Sequence, residues 1–253
     1  MPNPTAAVLV IGDEILSGRT REANAHHLAG ELTRVGIDLA EIRVVPDDHE
    51  VIVAALNALR ERYTHVFTSG GIGPTHDDIT ADAVAAAFGV GIDVRADARA
   101  LLEEALAGRG ATPTADQLRM ARIPDGATLI VNGVSGAPGF SIGNVHVMAG
   151  VPSIFVAMLD ALLPTLAAGV PIRSREVRFD VGEGRVAAQL RQLAGELPQL
   201  TVGSYPFTDG DLRGTNVVVR GTDEALLEDA VARLEAVRAT LQGPPGFSAG
   251  RGA

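Results

Sequence analysis

The sequence predicts an α/β protein with a mostly parallel sheet covered by helices on both faces, followed by a small α+β unit. The apolar run at residues 6–11 has no polar interruption, which is typical of a strand buried on both faces. From there to residue 88, a strand, a loop and a helix follow one another three times. This succession favours parallel strands joined by helical crossovers.

The spacing of apolar residues predicts the individual elements of this first part. Strands are expected at 6–11, 39–45 and 65–69, and helices at 25–35, 51–59 and 80–88. Further along, helices are expected at 96–107, 115–121 and 153–166, and strands at 128–131 and 145–148. The glycine-rich stretch Gly133–Gly143 predicts a hairpin between the last two strands, which makes the sheet mixed. Ser153 is the expected N-cap of the closing helix.

The segment Gly169–Pro171 is the expected domain boundary. We therefore predict domains at 1–169 and 170–242, the second with strands at 176–181, 200–205 and 216–220 and helices at 186–197 and 225–241. The tail at 243–253 has four glycines and two prolines and no apolar pattern, so we expect it to be disordered.

Composition excludes several classes of site. The chain has no cysteine and no lysine, which excludes disulfides, thiolate metal sites, Schiff-base lysines and a Walker A motif. The net charge is −10, and aromatic residues make up only 4% of the chain, so neither a nucleic acid nor an anionic membrane is an expected partner. The first residues lack the basic region of a signal peptide, and we expect a cytoplasmic protein that can form homo-oligomers.

Four polar segments follow predicted strands, where ligands bind in open α/β sheets. They are Gly12–Glu14, Pro46–Asp48, Gly70–Asp78 and Gly150–Ser153. Their shared composition of turn residues, acids and helix starts indicates one common site. Because residues 1–169 are acidic, a phosphate-containing ligand at this site needs backbone amides or a divalent cation to offset the repulsion between negative charges.

The richest of these segments extends from Ser69 to Thr80. Its glycines permit close backbone approach, and successive amides can form an anion-binding nest. Asp77 and Asp78 suit either a metal ion or a helix cap, and Thr80 or the preceding Asp can cap the following helix. A strand-to-helix turn without a ligand is the alternative. The segment has neither the spacing of a dinucleotide-binding fingerprint nor the lysine of a P-loop.

Taken together, three motifs make the sequence resemble one known family. These are Gly12-Asp-Glu-Ile-Leu-Ser-Gly18 with Asn24, Gly70-Gly-Ile-Gly-Pro-Thr-His-Asp-Asp-Ile-Thr80, and Asn132 with Ala137-Pro-Gly-Phe140 and Met148-Ala-Gly-Val-Pro152. They resemble the molybdopterin-binding domain of the competence/damage-inducible protein A (CinA-like) family over about residues 5–168. The resemblance implies a three-layer α/β/α sandwich, and residues 172–242 look like the small domain that follows it. The C-terminal amidase domain of full-length members is not expected here.

The resemblance also implies roles for individual residues. Asp13, Glu14, Asp47 and Asp78 match the family's catalytic acids, with Asp13 or Glu14 as a metal ligand or general base. Asp77 and Asp78 match its acidic pair, one expected to bind a divalent cation (Mg²⁺ or similar) and the other to cap a helix, while Asp48 is an expected cap. The expected phosphate- and ligand-binding residues are Ser69, Gly70, Gly71, Gly73, Pro74, Thr75, Thr80 and Ser153.

The function that the resemblance implies is a metal-dependent hydrolase of nucleotide pyrophosphates such as ADP-ribose or FAD. Molybdopterin binding or adenylylation in molybdenum cofactor biosynthesis is the alternative, with molybdopterin as the ligand. A ligand-binding module without catalysis is the third possibility. All three share a pocket for a phosphate ester next to a ring system.

Overall fold

The structure is a computed structural model that describes residues 3–108 and 110–242. The chain divides into two compact units, with the division between Val170 and Pro171. The predicted disorder of residues 243–253 lies outside the described residues. Each unit is described by itself below.

The first unit contains a larger sheet, a two-stranded ladder and the helices around them. Its strands are β1 Thr5–Ile11, β2 Asp38–Val45, β3 His65–Ser69, β4 Ile92–Val94, β5 Arg122–Pro124, β6 Thr128–Ile130, β7 Gly139–Ile142 and β8 Val145–Met148. Its helices are α1 Asp13–Leu16, α2 Asn24–Arg34, α3 His49–Arg62, α4 Thr80–Phe88, α5 Ala96–Ala107 and α6 Pro152–Leu162. Short 3-10 turns lie at Gln117–Ala121 and Leu163–Thr165.

The larger sheet has the strand order β2-β1-β3-β8-β7-β6. The first four strands are parallel, and β7 is antiparallel to both of its neighbours. The predicted hairpin between the strands at 128 and 145 is therefore wrong, because β7 lies between them and pairs with each. The prediction of a mostly parallel, mixed sheet is confirmed.

Strand β1 shows why the sheet has helices on both faces. Val8 and Val10 belong to a buried cluster with α2 and α6, whereas Leu9 and Ile11 belong to a second cluster with α3 and α4. Alternate residues of a strand point to opposite faces, so a strand buried on both faces must be apolar throughout. The predicted three-layer α/β/α sandwich is confirmed.

The start of α6 differs from its prediction. The helix begins at Pro152 with Val151 at the N-cap, so Ser153 is the second helical residue and no side chain caps the helix. Proline is favoured at the first helical position, because its missing N–H has no partner there in any helix. The predicted cap of α3 is confirmed, since Asp48 Oδ1 accepts a hydrogen bond of 3.0 Å from the Val51 amide.

The second unit is a small α+β structure. Its elements are β9 Arg173–Phe179, α7 Ala187–Glu196, β10 Thr201–Asp209, β11 Leu212–Gly221 and α8 Glu224–Gln242. The strands form an antiparallel sheet in the order β10-β11-β9, and a buried cluster joins β9 and β11 to both helices. In neither unit does a described helix combine the length and the apolar character that crossing a bilayer requires.

The topology determines where a ligand can bind. The carboxyl ends of β2, β1, β3 and β8 lie at one edge of the sheet because these strands are parallel. The chain leaves β1 for β2 on one side and later returns to β3 on the other side. Such a reversal opens a crevice between β1 and β3 at that edge.

Candidate functional site

A cleft of about 500 Å³ opens at this edge of the sheet. Three of the predicted segments line it: Glu14 in α1 directly after β1, Gly70–Pro74 with Asp78 in the loop after β3, and Ala149–Pro152 between β8 and the start of α6. Its other lining residues are Thr20, Met120, Ser135, Ala137, Ile154 and Met158. Three of the four predicted segments thus share one cleft, and Pro46–Asp48 is not among the residues that line it.

The turn after β3 can be built only with glycine. Gly70 and Gly71 have positive φ angles of 109° and 68°. A Cβ atom on Gly70 would lie 2.2 Å from the Ile11 carbonyl oxygen, and one on Gly71 would lie 2.1 Å from Thr80 Oγ1. The backbone thus approaches both β1 and α4 more closely than any side chain allows.

Thr80 holds this turn from behind. Its side chain is fully buried, its hydroxyl donates a 3.0 Å hydrogen bond to the Gly70 carbonyl, and its amide donates a 3.0 Å bond to the Gly71 carbonyl. The N-cap of α4 is Ile79, and no side chain caps that helix, so capping by Thr80 or the preceding Asp is wrong. Thr80 orients the glycine turn from within the core.

The amides of Gly71, Ile72 and Gly73 donate no hydrogen bond to any described residue. All three residues line the cleft, and α6 begins beside them, since a Cβ on Gly150 would lie only 3.2 Å from Gly70 Cα. Unpaired backbone N–H groups and a helix N-terminus both attract anions. The turn therefore presents the donors that a phosphate group requires.

Asn24 and Ser69 connect the loops around the cleft. The Asn24 side-chain amide donates hydrogen bonds of 2.8 Å to Ser69 Oγ and to the Gly150 carbonyl. Both side chains are buried, so Ser69 joins α2 to the sheet instead of facing the cleft. Asn24 itself is the first residue of α2 and does not cap it.

Sequence reasoning assigned no role to the buried side chain of Asn132. Its Oδ1 accepts hydrogen bonds from the amides of Val134 and Ser135 at 3.1 and 2.9 Å, and its Nδ2 donates to the Ala137 carbonyl at 2.7 Å. Asn132 thereby shapes the loop that carries Ser135 and Ala137 to the cleft. The signal was an asparagine at the start of a glycine-rich loop, because such side chains bond to nearby backbone.

Four carboxylates gather beside the cleft. The Asp13 amide donates a 2.9 Å hydrogen bond to Asp47 Oδ2, which holds the Asp47 carboxylate against the start of α1. Burial raises the pKa of Asp47 above its ordinary value, and the carboxylates of Glu14, Asp13 and Asp77 raise it further, against the lowering effect of the Asp13 amide. Negative charge is therefore in excess around Asp47.

The acidic pair in the glycine loop divides between two positions. Asp78 lines the cleft, and its Oδ2 accepts hydrogen bonds from the Thr75 amide at 2.8 Å and the Thr75 hydroxyl at 2.5 Å. Asp77 has a side chain that is 60% exposed and lies beside His76. Asp78 thus shapes the loop, and the Thr75 hydroxyl is already bonded to it. Of the two acids, Asp78 lines the cleft and Asp77 does not.

The predicted site residues fall into three groups by position. Those that line the cleft are Glu14, Gly70, Gly71, Gly73, Pro74 and Asp78. Those beside it or at its exposed rim are Asp13, Asp47, Thr75, Asp77 and Ser153. Ser69 and Thr80 are buried behind it.

The acidic side chains of the cleft decide whether it suits the divalent cation that the resemblance implies. Within the described ranges, no three histidine or acidic side chains form a group that could hold a metal ion. Mg²⁺, however, usually takes one or two protein carboxylates together with phosphate oxygens and water. Glu14 and Asp78 both line the cleft, and the surplus negative charge at Asp47 favours a cation there. These residues fit a cation shared with a bound phosphate.

Comparison with known proteins agrees with this geometry. Residues 7–168 match the family model described as a probable molybdopterin binding domain. The chain belongs to this family. Residues 171–239 match a second model, described as the middle domain of FAD synthase.

Individual relatives show that this family member is CinA-like. A CinA-like protein of Gemmatimonas aurantiaca is 36% identical over 90% of the chain and 56% of its own length. A protein of Aeropyrum pernix is 33% identical over 81% of the chain and 80% of its own length. A crystal structure titled as CinA with unknown function, from Thermoplasma acidophilum, covers 65% of the chain and 99% of its own, with 34% identity and a TM-score of 0.60. The chain spans about half the length of the first of these relatives.

The bond from Thr80 to Gly70 predicts a stability change. Thr80→Val keeps the shape of the side chain but leaves the buried Gly70 carbonyl without its donor, so the free energy of unfolding should fall by about 1–3 kcal/mol. Thr80→Ser keeps the hydroxyl and should lose less. Urea unfolding of both variants checks this, and equal losses in the two would show that the hydroxyl does not hold the turn.

The raised pKa of Asp47 predicts a pH-dependent stability. Because the folded protein binds this proton more tightly than the unfolded chain, the carboxyl contributes stability in acid that is lost as pH rises above its ordinary value of 3.8. Asp47→Asn should therefore raise the melting temperature at pH 7 in metal-free buffer, and the gain should shrink towards pH 4. Asp48→Asn, which keeps a good cap, is the control. A lower melting temperature for Asp47→Asn at pH 7 would contradict the assignment.

Proposed function

We propose that the cleft hydrolyses nucleotide pyrophosphates of the ADP-ribose or FAD type with a divalent cation. The observation that carries this proposal is the meeting of three unpaired amides, at Gly71–Gly73, with the carboxylates of Glu14 and Asp78 in one cleft. The amides suit the anion, and the carboxylates suit a cation that offsets its charge. The amides alone would not explain the carboxylates, and the carboxylates alone would not explain the unpaired amides. A phosphate bound together with a cation explains both.

The size of the cleft and the family matches support the substrate class. Pockets of about 300–1,000 Å³ hold molecules of nucleotide or drug size, and this cleft has about 500 Å³. The match of residues 171–239 to the middle domain of FAD synthase favours a flavin or adenine dinucleotide. The partner in this proposal is a small phosphate-containing molecule.

The residues of the chain take distinct roles in the proposed reaction. The amides of Gly71–Gly73 and the start of α6 bind phosphate oxygens, while Glu14 and Asp78 would hold the cation. A bound divalent cation would polarise the phosphoryl group and lower the pKa of water. Asp47, with its raised pKa, accepts a proton from the attacking water. The water oxygen bonds to phosphorus as the P–O–P bond breaks, and two phosphomonoesters leave.

Molybdopterin binding is the second candidate function. The family description of residues 7–168 favours it, and molybdopterin also joins a phosphate ester to a ring system. The same amides would bind that phosphate, and adenylylation would need a nucleotide in the same cleft. The products of a turnover assay separate the two candidates.

The test is a hydrolysis screen over ADP-ribose, FAD, NADH and molybdopterin with Mg²⁺, Mn²⁺ or EDTA. The proposal expects release of a nucleoside monophosphate from at least one dinucleotide, and no release in EDTA. Turnover that persists in EDTA would contradict the role of the cation. Tight binding of molybdopterin without any hydrolysis would favour the second candidate.

The proposed roles predict which acids are needed for turnover, and substitution by asparagine tests each of them. Asp78→Asn and Asp47→Asn should each lower kcat by about 100-fold or more, because each loses a charge worth several kcal/mol in the transition state. Asp78→Asn can still accept the bonds from Thr75, so the loop should keep its shape. Asp48→Asn is the matched control, since it removes one charge from a helix cap, and its kcat should not change. Unchanged turnover in all three variants would show that the site lies elsewhere.

A further inference from the structure

Arg119 lies beside the glycine loop and takes no part in the proposed reaction. It belongs to the 3-10 turn at Gln117–Ala121 and lines a narrow cleft together with Gly71, Gly73 and Asp78. These three residues also line the larger cleft, and so does Met120, the next residue after Arg119. The two clefts thus share part of the glycine loop as a common wall, and Arg119 lines the narrow one.

The guanidinium of Arg119 has no partner in the described part of the chain. It forms no ion pair and no side-chain hydrogen bond there, and its Nε atom is buried. An arginine side chain stays charged at all ordinary pH values, and a buried N–H without an acceptor is costly. The described residues provide no acceptor for this buried N–H group, so a bound ligand is a candidate for that acceptor.

Arg122, which lines the same narrow cleft, shows the contrast. Its two terminal nitrogens donate hydrogen bonds of 2.7 Å each to the two carboxylate oxygens of Asp82. That pair occupies both carboxylate oxygens of Asp82, one of the two acids in the lining of the narrow cleft. Arg119 is therefore the cation of this cleft that remains available.

The chemistry of the site indicates what Arg119 binds. The loop amides provide hydrogen bonds but only partial charge, and Glu14, Asp47, Asp77 and Asp78 surround the site with negative charge. The chain has no lysine, so every permanent side-chain cation is an arginine. A guanidinium matches two phosphate oxygens with two parallel N–H groups.

We propose that Arg119 binds the phosphate group that lies on the Gly71–Gly73 loop, and that it thereby selects ligands with a diphosphate over the bare nucleoside. This inference rests on the proposed function for its ligand class but not for catalysis. The ligand completes the hydrogen bonding of a guanidinium that the free protein leaves unpaired. Arg119 is a binding residue, and its loss should affect affinity before it affects the fold.

The test measures binding without turnover. The probe is the α,β-methylene analogue of ADP-ribose, whose P–C–P bridge water does not cleave, with adenosine as the comparison ligand, both in Mg²⁺ by calorimetry. Arg119→Gln should raise Kd for the analogue by about 10- to 100-fold and leave adenosine unchanged. Arg119→Lys, which keeps the charge but loses the fork, should fall between. Arg99→Gln is the control, since it removes the same charge from the protein at an exposed ion pair with Glu103.

A thermal measurement separates binding from a structural role. Removal of an unpaired buried N–H should leave the melting temperature of the free protein unchanged or higher, while the rise on adding the analogue should shrink. A Kd for Arg119→Gln within twofold of the Arg99→Gln value would overturn the inference, and so would a large fall in the melting temperature of the free protein. If the protein binds the analogue but does not hydrolyse ADP-ribose, only the catalytic proposal fails. If the protein does not bind the analogue, both fail.

Discussion

The close approach of the Gly70–Gly71 turn to β1 and α4 is the constraint on which the site depends. With no side chain tolerated at Gly70, the backbone passes directly over the Ile11 carbonyl, and Thr80 fastens it from the core. This leaves the next amides without acceptors in the described protein, at the edge where β1 and β3 diverge. A side chain at either glycine would displace the loop and move the backbone N–H donors out of position.

Charge at the site works in two directions. Burial raises the pKa of Asp47, and the carboxylates of Glu14, Asp13 and Asp77 raise it further, so the negative charge around Asp47 opposes an anion. The unpaired amides, the start of α6 and Arg119 attract one. The divalent cation that we propose would reconcile the two, because the carboxylates would attract it and it would in turn attract phosphate. On this proposal, the balance of charge would let an acidic chain bind a phosphate-containing ligand.

Sequence reasoning found the elements whose pattern is unambiguous. The apolar run of β1 and the spacing of α3 and α4 follow from burial on one or both faces, so they could be predicted. β7 was missed, because Gly139–Ile142 is short and follows a glycine-rich loop, and only its two sheet neighbours make it a strand. The position of the glycine loop directly after a predicted strand located it correctly at the edge of the sheet.

The roles of single side chains were harder to predict than the loop. Ser69 and Thr80 have hydroxyl groups suited to phosphate, yet both side chains are buried. The Ser69 hydroxyl accepts a hydrogen bond from Asn24, and the Thr80 hydroxyl donates one to the Gly70 carbonyl. Arg119 gave no signal, since an arginine in a turn is usually solvated and only the fold brings it against the loop. Long-range contacts of this kind have no signature in local spacing.

The most direct test of the central claim observes the amides themselves. In protein labelled with ¹⁵N-glycine, titration with the methylene analogue of ADP-ribose in Mg²⁺ should shift the amide resonances of Gly71 and Gly73 strongly. Resonances of Gly203 and Gly214, in the sheet of the second unit, serve as the reference. Saturable shifts at the two loop glycines, with little change at the reference glycines, are the predicted result. Binding of the analogue with unshifted Gly71 and Gly73 would contradict the account.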